Sequence, residues 1–331
     1  MNAPTMPIEP APVAAPSRLE HMPVSMFSIV MGLAGTTIAL EKAEHQWAWS
    51  VSPSAVMLAI TAIIFVLISL AYLSKFILHR KQVVADFNHP IRLSFFPAMS
   101  IGMLLLAIAA MGHYPGASLY LWGVGATVQL IFTLAILSSW MHHEKFQVQH
   151  SNPAWFIPIV GNILVPIAGV PLGYQEVSWF YFSVGMLMWT PLLAVLFNRF
   201  FFHPMIPGKL LPTLFILIAP PAVGFISWVK LHGGVVDDTA RLFYYFGLFI
   251  TMLLLAQARY FVKLSFALPW WAYTFPVAAL TIATSVMAEK VGGDFFATLF
   301  PVLLIALVLL VSLISVRTVI AMLRGQVCVP E

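Results

Sequence analysis

Leu268-Pro269-Trp270-Trp271-Ala272-Tyr273-Thr274-Phe275-Pro276 opens an apolar run that continues to Ala288. Pro269 suits the first turn of a helix, where a missing N–H costs nothing. Pro276 stands about two turns further on, with no N–H to offer the carbonyl of Ala272 and a ring that crowds it. Phe275, the residue before it, is turned away from ordinary helical geometry. A bent helix with a freed carbonyl is tolerated at membrane depth only against protein or a water-filled cavity. The stretch therefore reads as the bend of a membrane helix facing a pore, with the ring of Phe275 held at the bend. In a chain with 26 Phe, the same letters also describe a packing or lipid-facing aromatic beside a harmless kink. This stretch alone does not separate the two.

The composition around it sets the class. Hydrophobic residues make up 61% of the 331 residues, charged residues 8%, and mean hydropathy is +0.94. Soluble domains carry roughly 25% charged residues, so the chain reads as an all-α integral membrane protein. Apolar runs give ten candidate spans, at 23–43, 53–78, 92–111, 117–140, 153–170, 174–198, 211–231, 240–261, 270–289 and 295–323. Each is about 20 residues, enough for a hydrocarbon core of about 30 Å. The fifth is interrupted by Pro158, Asn162 and Pro166. The domain expected over 23–323 is flanked by a Pro- and Ala-rich stretch at 1–22, read as a disordered cytoplasmic tail, and a short cytoplasmic tail at 324–331. No apolar leader is expected before the first span.

With an even number of spans both termini share one side. Only Lys42, Lys230, Arg241 and Lys290 fall on the other, leaving twelve of the 16 Lys and Arg on the side of the termini. That bias assigns both termini to the cytoplasmic side of the membrane. The net charge of +4 follows this topology and points to no nucleic-acid partner.

Helix breakers are not spread evenly. Pro97 lies in the third span, Pro158 and Pro166 in the fifth, Pro220 and Pro221 in the seventh, and Pro276 in the ninth. The first carries Gly32 and Gly35, followed by Thr36 and Thr37. The even spans are mostly uninterrupted Leu, Ile, Val and Phe, with Pro191 and Pro301 as exceptions. Bent odd helices alternating with smoother even ones suggest five helical hairpins, the bent members lining a central path and the smooth ones forming an outer wall.

No span carries Asp, Glu, Lys, Arg or His near its middle, and all ten His sit in loops, tails or span ends. Paired haem ligands and a retinal lysine are excluded, and a proton relay, which uses an intramembrane carboxylate or His, has no residue to carry it. Cys328 alone supports neither a disulfide framework nor a multi-cysteine metal site. His142-His143 beside Glu144 makes a weak metal set and reads as a solvated loop. No nucleophile–base arrangement or phosphate loop is present, so neither enzyme nor cofactor is expected. The polar groups at depth are neutral, including Thr36, Thr37, Ser100, Asn162 and Thr274, which stand as candidates for the path; Gln129 and Gln257, on even spans, read as bonds between helices.

Several separate stretches then resemble one family. Trp270-Trp271-Ala272-Tyr273-Thr274-Phe275-Pro276 closely resembles the ninth helix of the plant slow-type anion channels, whose bacterial relatives are called tellurite-resistance and C4-dicarboxylate transporter proteins. Supporting stretches are Asp86-Phe87-Asn88-His89-Pro90 with Arg92, Phe95-Phe96-Pro97, Asn152-Pro153 with Val160-Gly161-Asn162, and Ala219-Pro220-Pro221. The resemblance implies ten helices in five hairpins around a pseudo-five-fold pore in each protomer, a homotrimer, and an aromatic plug at the position of Phe275. The expected function is a passive channel for small monovalent anions such as chloride or nitrate, gated at Phe275. The alternative is a proton-coupled secondary carrier of C4-dicarboxylates or tellurium oxyanions. The expected path residues are Thr36, Thr37, Phe95, Phe96, Pro97, Ser100, Asn162, Pro166, Pro220, Pro221, Thr274 and Pro276 around the gate at Phe275.

Overall fold

The computed structural model describes residues 17–329. Among them, nine helices are long and apolar enough to cross a membrane: Val24–Trp47, Pro53–Leu78, Arg92–Ala110, Pro115–His142, Gln175–Phe202, Gly208–Leu231, Asp238–Ala256, Leu268–Lys290 and Asp294–Leu323. Pro153–Gly169 is a tenth, shorter apolar helix, and it stands where the fifth span was expected. The ten are called the first to tenth spans in chain order.

Consecutive spans pair as hairpins: first with second, third with fourth, fifth with sixth, seventh with eighth, ninth with tenth. The odd spans also pack on one another in a closed circle, first on third, third on fifth, fifth on seventh, seventh on ninth, and ninth back on first. Each even span lies against its own hairpin partner and the odd span that follows, the tenth closing the wall against the first. Burial follows this arrangement. In the most apolar part of each long odd span 78–89% of residues are buried, against 22–33% in the even spans. The even spans therefore offer the lipid-facing surface, and the odd spans form an inner ring.

Every inner span is built in two parts. Val24–Met26, Arg92–Phe95, Pro153–Phe156, Gly208–Ile218 and Leu268–Tyr273 are 3-10 segments. They lead into the α-helices Phe27–Trp47, Ala98–Ala110, Ile157–Gly169, Ala219–Leu231 and Thr274–Lys290. The breakers of the sequence gather at these joints: Pro97 caps its α segment, while Pro158 and Pro220 stand second in theirs. Pro276 is third in its segment, which corrects the expectation that it bends an established α-helix. A proline in the first turn removes no i→i−4 bond of its α segment, while the N–H groups of Ile157, Ala219 and Thr274 beside it donate back to carbonyls of the 3-10 segments. Pro166 alone of these sits inside its helix.

Small residues let the ring close. A Cβ at Gly32 would collide with the Thr274 hydroxyl, and one at Gly35 would stand 2.8 Å from the Cβ of Ala278. The first and ninth spans can approach this closely only because both positions are glycine.

At the face of the termini, Lys75 is 2% exposed and donates to the Asp86 carboxylate at 2.7 Å and to the Met22 carbonyl at 2.8 Å. Arg92 donates to the other oxygen of Asp86 at 2.7 Å. Glu20 accepts from Gln82 at 2.6 Å. Residues 17–22, expected within a disordered tail, are therefore held on the helical body; the rest of that expectation, residues 1–16, lies outside the described residues. Arg18 lies beside Gly325, so both ends of the described chain meet on one face.

On the opposite face, Asp237 opens the eighth span by accepting from the Ala240 N–H at 2.8 Å and from the Trp228 indole N–H at 2.9 Å. The Ala240 backbone bond, followed by the Trp228 bond, holds its carboxyl below the ordinary 3.8. A depressed carboxyl stabilises the fold above its unfolded pKa and loses that contribution as pH falls through the lower folded value. Asp237→Ala should therefore cost about 0.5–2 kcal/mol at neutral pH. Thermal unfolding of the detergent-solubilised protein checks this: the deficit should be full at pH 7 and should shrink as the pH is taken well below 3.8.

Candidate functional site

Two cavities lie inside the inner ring. The first is lined by all five odd spans on the side of the 3-10 segments, including Ser25, Phe95, Val160, Ile216, Trp271 and Pro276. The second is lined by Ile38, Leu105, Leu164, Val223, Ala279 and other apolar residues, again from all five. One residue lines both: Phe275. It is 5% exposed and stands at the joint of the ninth span, with the two cavities on either side of its ring.

The ring is positioned from three directions. Trp271, one turn earlier, is 2% exposed and donates its indole N–H to Thr318 of the tenth span at 2.9 Å. The Thr274 hydroxyl donates to the Trp271 carbonyl at 2.7 Å and packs against Gly32. A Cβ at Gly35 would lie 3.5 Å from Cδ2 of Phe275, so glycine leaves the ring its room.

No Asp, Glu, Lys, Arg or His lines either cavity. The hydroxyls of Ser25 and Ser28 are the polar side chains of the first, and Ser28 donates to the Ser25 carbonyl at 2.6 Å. Ser28, Ile157, Ala219 and Phe275 all come from the first turns of their α segments and line the first cavity. The positive ends of those helices are therefore turned toward it. The arrangement offers a passing anion a weak positive field and the Ser25 hydroxyl, and holds no group that takes up a proton.

Of the residues expected along the path, Phe95, Phe275 and Pro276 line a cavity. The others are placed elsewhere. Thr36 and Thr37 donate back to the Gly32 and Leu33 carbonyls, and Thr37 meets Thr61 of the second span. Ser100 donates to Gln129 of the fourth span at 2.7 Å. Asn162 donates to Thr133 at 2.9 Å, and Gln129, Thr133 and Asn162 all donate to the Pro158 carbonyl. This network ties the third, fourth and fifth spans together. It requires Gly161, because a Cβ there would overlap the Gln129 amide. Phe96 turns outward among Tyr72, Phe87 and Phe132. Thr274, Pro97, Pro166, Pro220 and Pro221 are buried in the joints and helix contacts without lining either cavity. Membrane helices satisfy buried hydroxyls and amides against their own carbonyls and their neighbours, which draws them away from the axis.

Sequence reasoning missed Met31, Ile38, Ile101, Leu105, Ile226 and Ala279, which line the cavities. Their signal is the helical spacing counted from each joint, as in Phe275, Ala279 and Ile282, or Leu105 and Ile108.

The family model described as SLAC1, voltage-dependent anion channel, matches residues 21–319. Among curated relatives, the "S-type anion channel SLAH2" of Arabidopsis thaliana is 29% identical over 285 residues, covering 83% of this chain and 54% of the relative. The "Guard cell S-type anion channel SLAC1" of the same plant is 27% identical over 285 residues, 83% of this chain and 51% of the relative. The chain thus spans about half the length of these plant relatives. The "Tellurite resistance protein TehA homolog" of Haemophilus influenzae is 24% identical over 296 residues, 88% of this chain and 90% of the relative.

Proposed function

The chain belongs to the voltage-dependent anion channel family, and from that premise we propose that it is a passive channel for small monovalent anions, closed by the ring of Phe275. Family members are anion channels and transporters, not enzymes. The observation that carries the finer reading is that one aromatic side chain lies between two cavities lined by all five inner helices. Conduction needs binding weak enough to release the ion, and a hydroxyl with helix N-termini offers weak binding. Chloride and nitrate, compact and singly charged, suit an apolar lumen better than a dicarboxylate, whose two charges would need fixed cations. The reading puts the protein in the bacterial cytoplasmic membrane as a homotrimer with both termini inside and a complete pore in each protomer.

The competing reading is a proton-coupled carrier of dicarboxylates or tellurium oxyanions, and proton coupling decides between them. In liposomes holding purified protein, reversal potentials should follow the chloride or nitrate gradient and ignore a pH gradient. Flux should change little between pH ~5.5 and 8, apart from effects of loop histidines with reference pKa ~6.5. Stoichiometric proton movement with each anion would overturn the channel and establish the carrier.

A further inference from the structure

Both ends of the inner ring carry a helix field, and the two ends differ. At the mouth opposite the termini the α-helices Phe27–Trp47, Ala219–Leu231 and Thr274–Lys290 all end. So do the two remaining inner helices, Ala98–Ala110 and Ile157–Gly169. A helix C-terminus carries about half a negative charge. Five of them around one opening make a field that turns anions back.

Three lysines stand in that field. Lys42 lies one turn beyond Ile38, Lys230 one turn beyond Ile226, and Lys290 eleven residues beyond Ala279; the three reference residues line the second cavity. Positions four or eleven residues apart share a helix face, so each lysine continues the stripe that faces the axis. The first, seventh and ninth spans are neighbours in the ring. Lys230 lies within electrostatic reach of Lys42, Lys290 and Glu289, which makes these groups one cluster. Carboxylates share this mouth: Glu289 pairs with Lys290 at 2.8 Å, Glu41 lies 4.0 Å from His45 and within electrostatic reach of Lys42, and Glu44 accepts from the N–H and hydroxyl of Ser54 at 2.6 Å. Among the described residues Lys42 and Lys230 have no carboxylate within 4.0 Å.

We propose that Lys42, Lys230 and Lys290 form an anion-admitting site at the mouth opposite the termini, cancelling the negative field of the five helix ends. The equivalent positions on the other two inner spans, just past their helix ends, are Gly112 and Pro171, so the site is one-sided, built on three adjacent helices. Ions it takes are small and singly charged, because Lys42 and Lys230, the two of the three not paired with a carboxylate, recruit an anion without enclosing it. The site rests on the channel reading for its purpose, though its field exists whether or not the pore conducts.

The experiment has two arms. In the first, currents are recorded from Phe275→Ala protein with and without Lys42→Gln, Lys230→Gln and Lys290→Gln. The triple variant should lower anion current about fivefold in 20 mM salt and less than about twofold in 1 M salt, where screening is nearly complete. Equal currents at both concentrations would overturn the proposal. In the second, Pro171→Cys, with Cys328→Ser, places a thiol at the exposed rim of the same mouth. Its labelling by a negatively charged methanethiosulfonate, relative to a neutral one, should fall about three- to fivefold when the lysines are removed. An unchanged ratio would also overturn it. If the Phe275→Ala parent carries no anion current at all, the channel reading fails, and the labelling ratio still decides the lysines.

Discussion

Phe275→Ala is expected to raise anion conductance by an order of magnitude or more while the protein stays folded. The ring is 5% exposed and is the side chain common to both cavities, so its removal joins them. No charge and no hydrogen bond is lost with it. A pore held closed 99 times in 100 needs a bias of only ~2.7 kcal/mol, half the ~5.5 that carries a population from 1:99 to 99:1. An apolar constriction that excludes water supplies a barrier of this kind. Phe275→Leu keeps much of the bulk and should give an intermediate rise. Phe249 on the eighth span is 57% exposed and faces outward, so Phe249→Ala should leave the current unchanged. Were Phe275 only a packing residue, its truncation would cost ~3–5 kcal/mol of stability, lower the yield and add no current. Single-channel recordings with melting curves on the same preparations separate the outcomes.

Asp86→Asn is expected to destabilise the protein by about 3–5 kcal/mol, because it strands a buried ammonium group. Lys75 is 2% exposed, and Asp86 is the carboxylate it meets, at 2.7 Å. Arg92, with a side chain 42% exposed, can turn to water when its partner is lost; Lys75 cannot. Replacing both members, as Lys75→Met with Asp86→Leu, removes the charge along with its partner and should recover most of the loss. Thermal unfolding in detergent measures both. A double variant no more stable than Asp86→Asn would show that the cost lies in the lost bond to the Met22 carbonyl.

The spans, the hairpins and the division into inner and outer helices were legible because they are written in hydropathy and in the placement of proline. Pro97, Pro158, Pro220 and Pro276 mark the joints correctly. Their meaning was hidden, since a proline at a helix start and one at a kink are the same letter; the 3-10 segments before the joints decide between them. The polar candidates misled for a different reason. Polarity at depth alone points Thr36, Ser100 and Asn162 toward the axis. A buried hydroxyl bonds to whichever carbonyl is nearest, here on its own helix or an outer neighbour. The lumen itself is apolar, and Leu105 facing a cavity carries no mark that distinguishes it from Leu104 packed against Gly125. Fully apolar linings are invisible to composition and emerge only from the ring's geometry.

The closure of the outer wall by the tenth span against the first has one more consequence. The ring has five hairpins in cyclic order and no seam, since the contact between last and first is of the same kind as the other four. The Arg18 side chain lies beside Gly325, so the two ends of the described chain are close in space. Where the polypeptide starts is then an accident of the gene rather than a requirement of the architecture. A permuted chain opened in the turn at 203–207 and joined across the old ends would present the same hairpins in the same circular sequence, around the same axis.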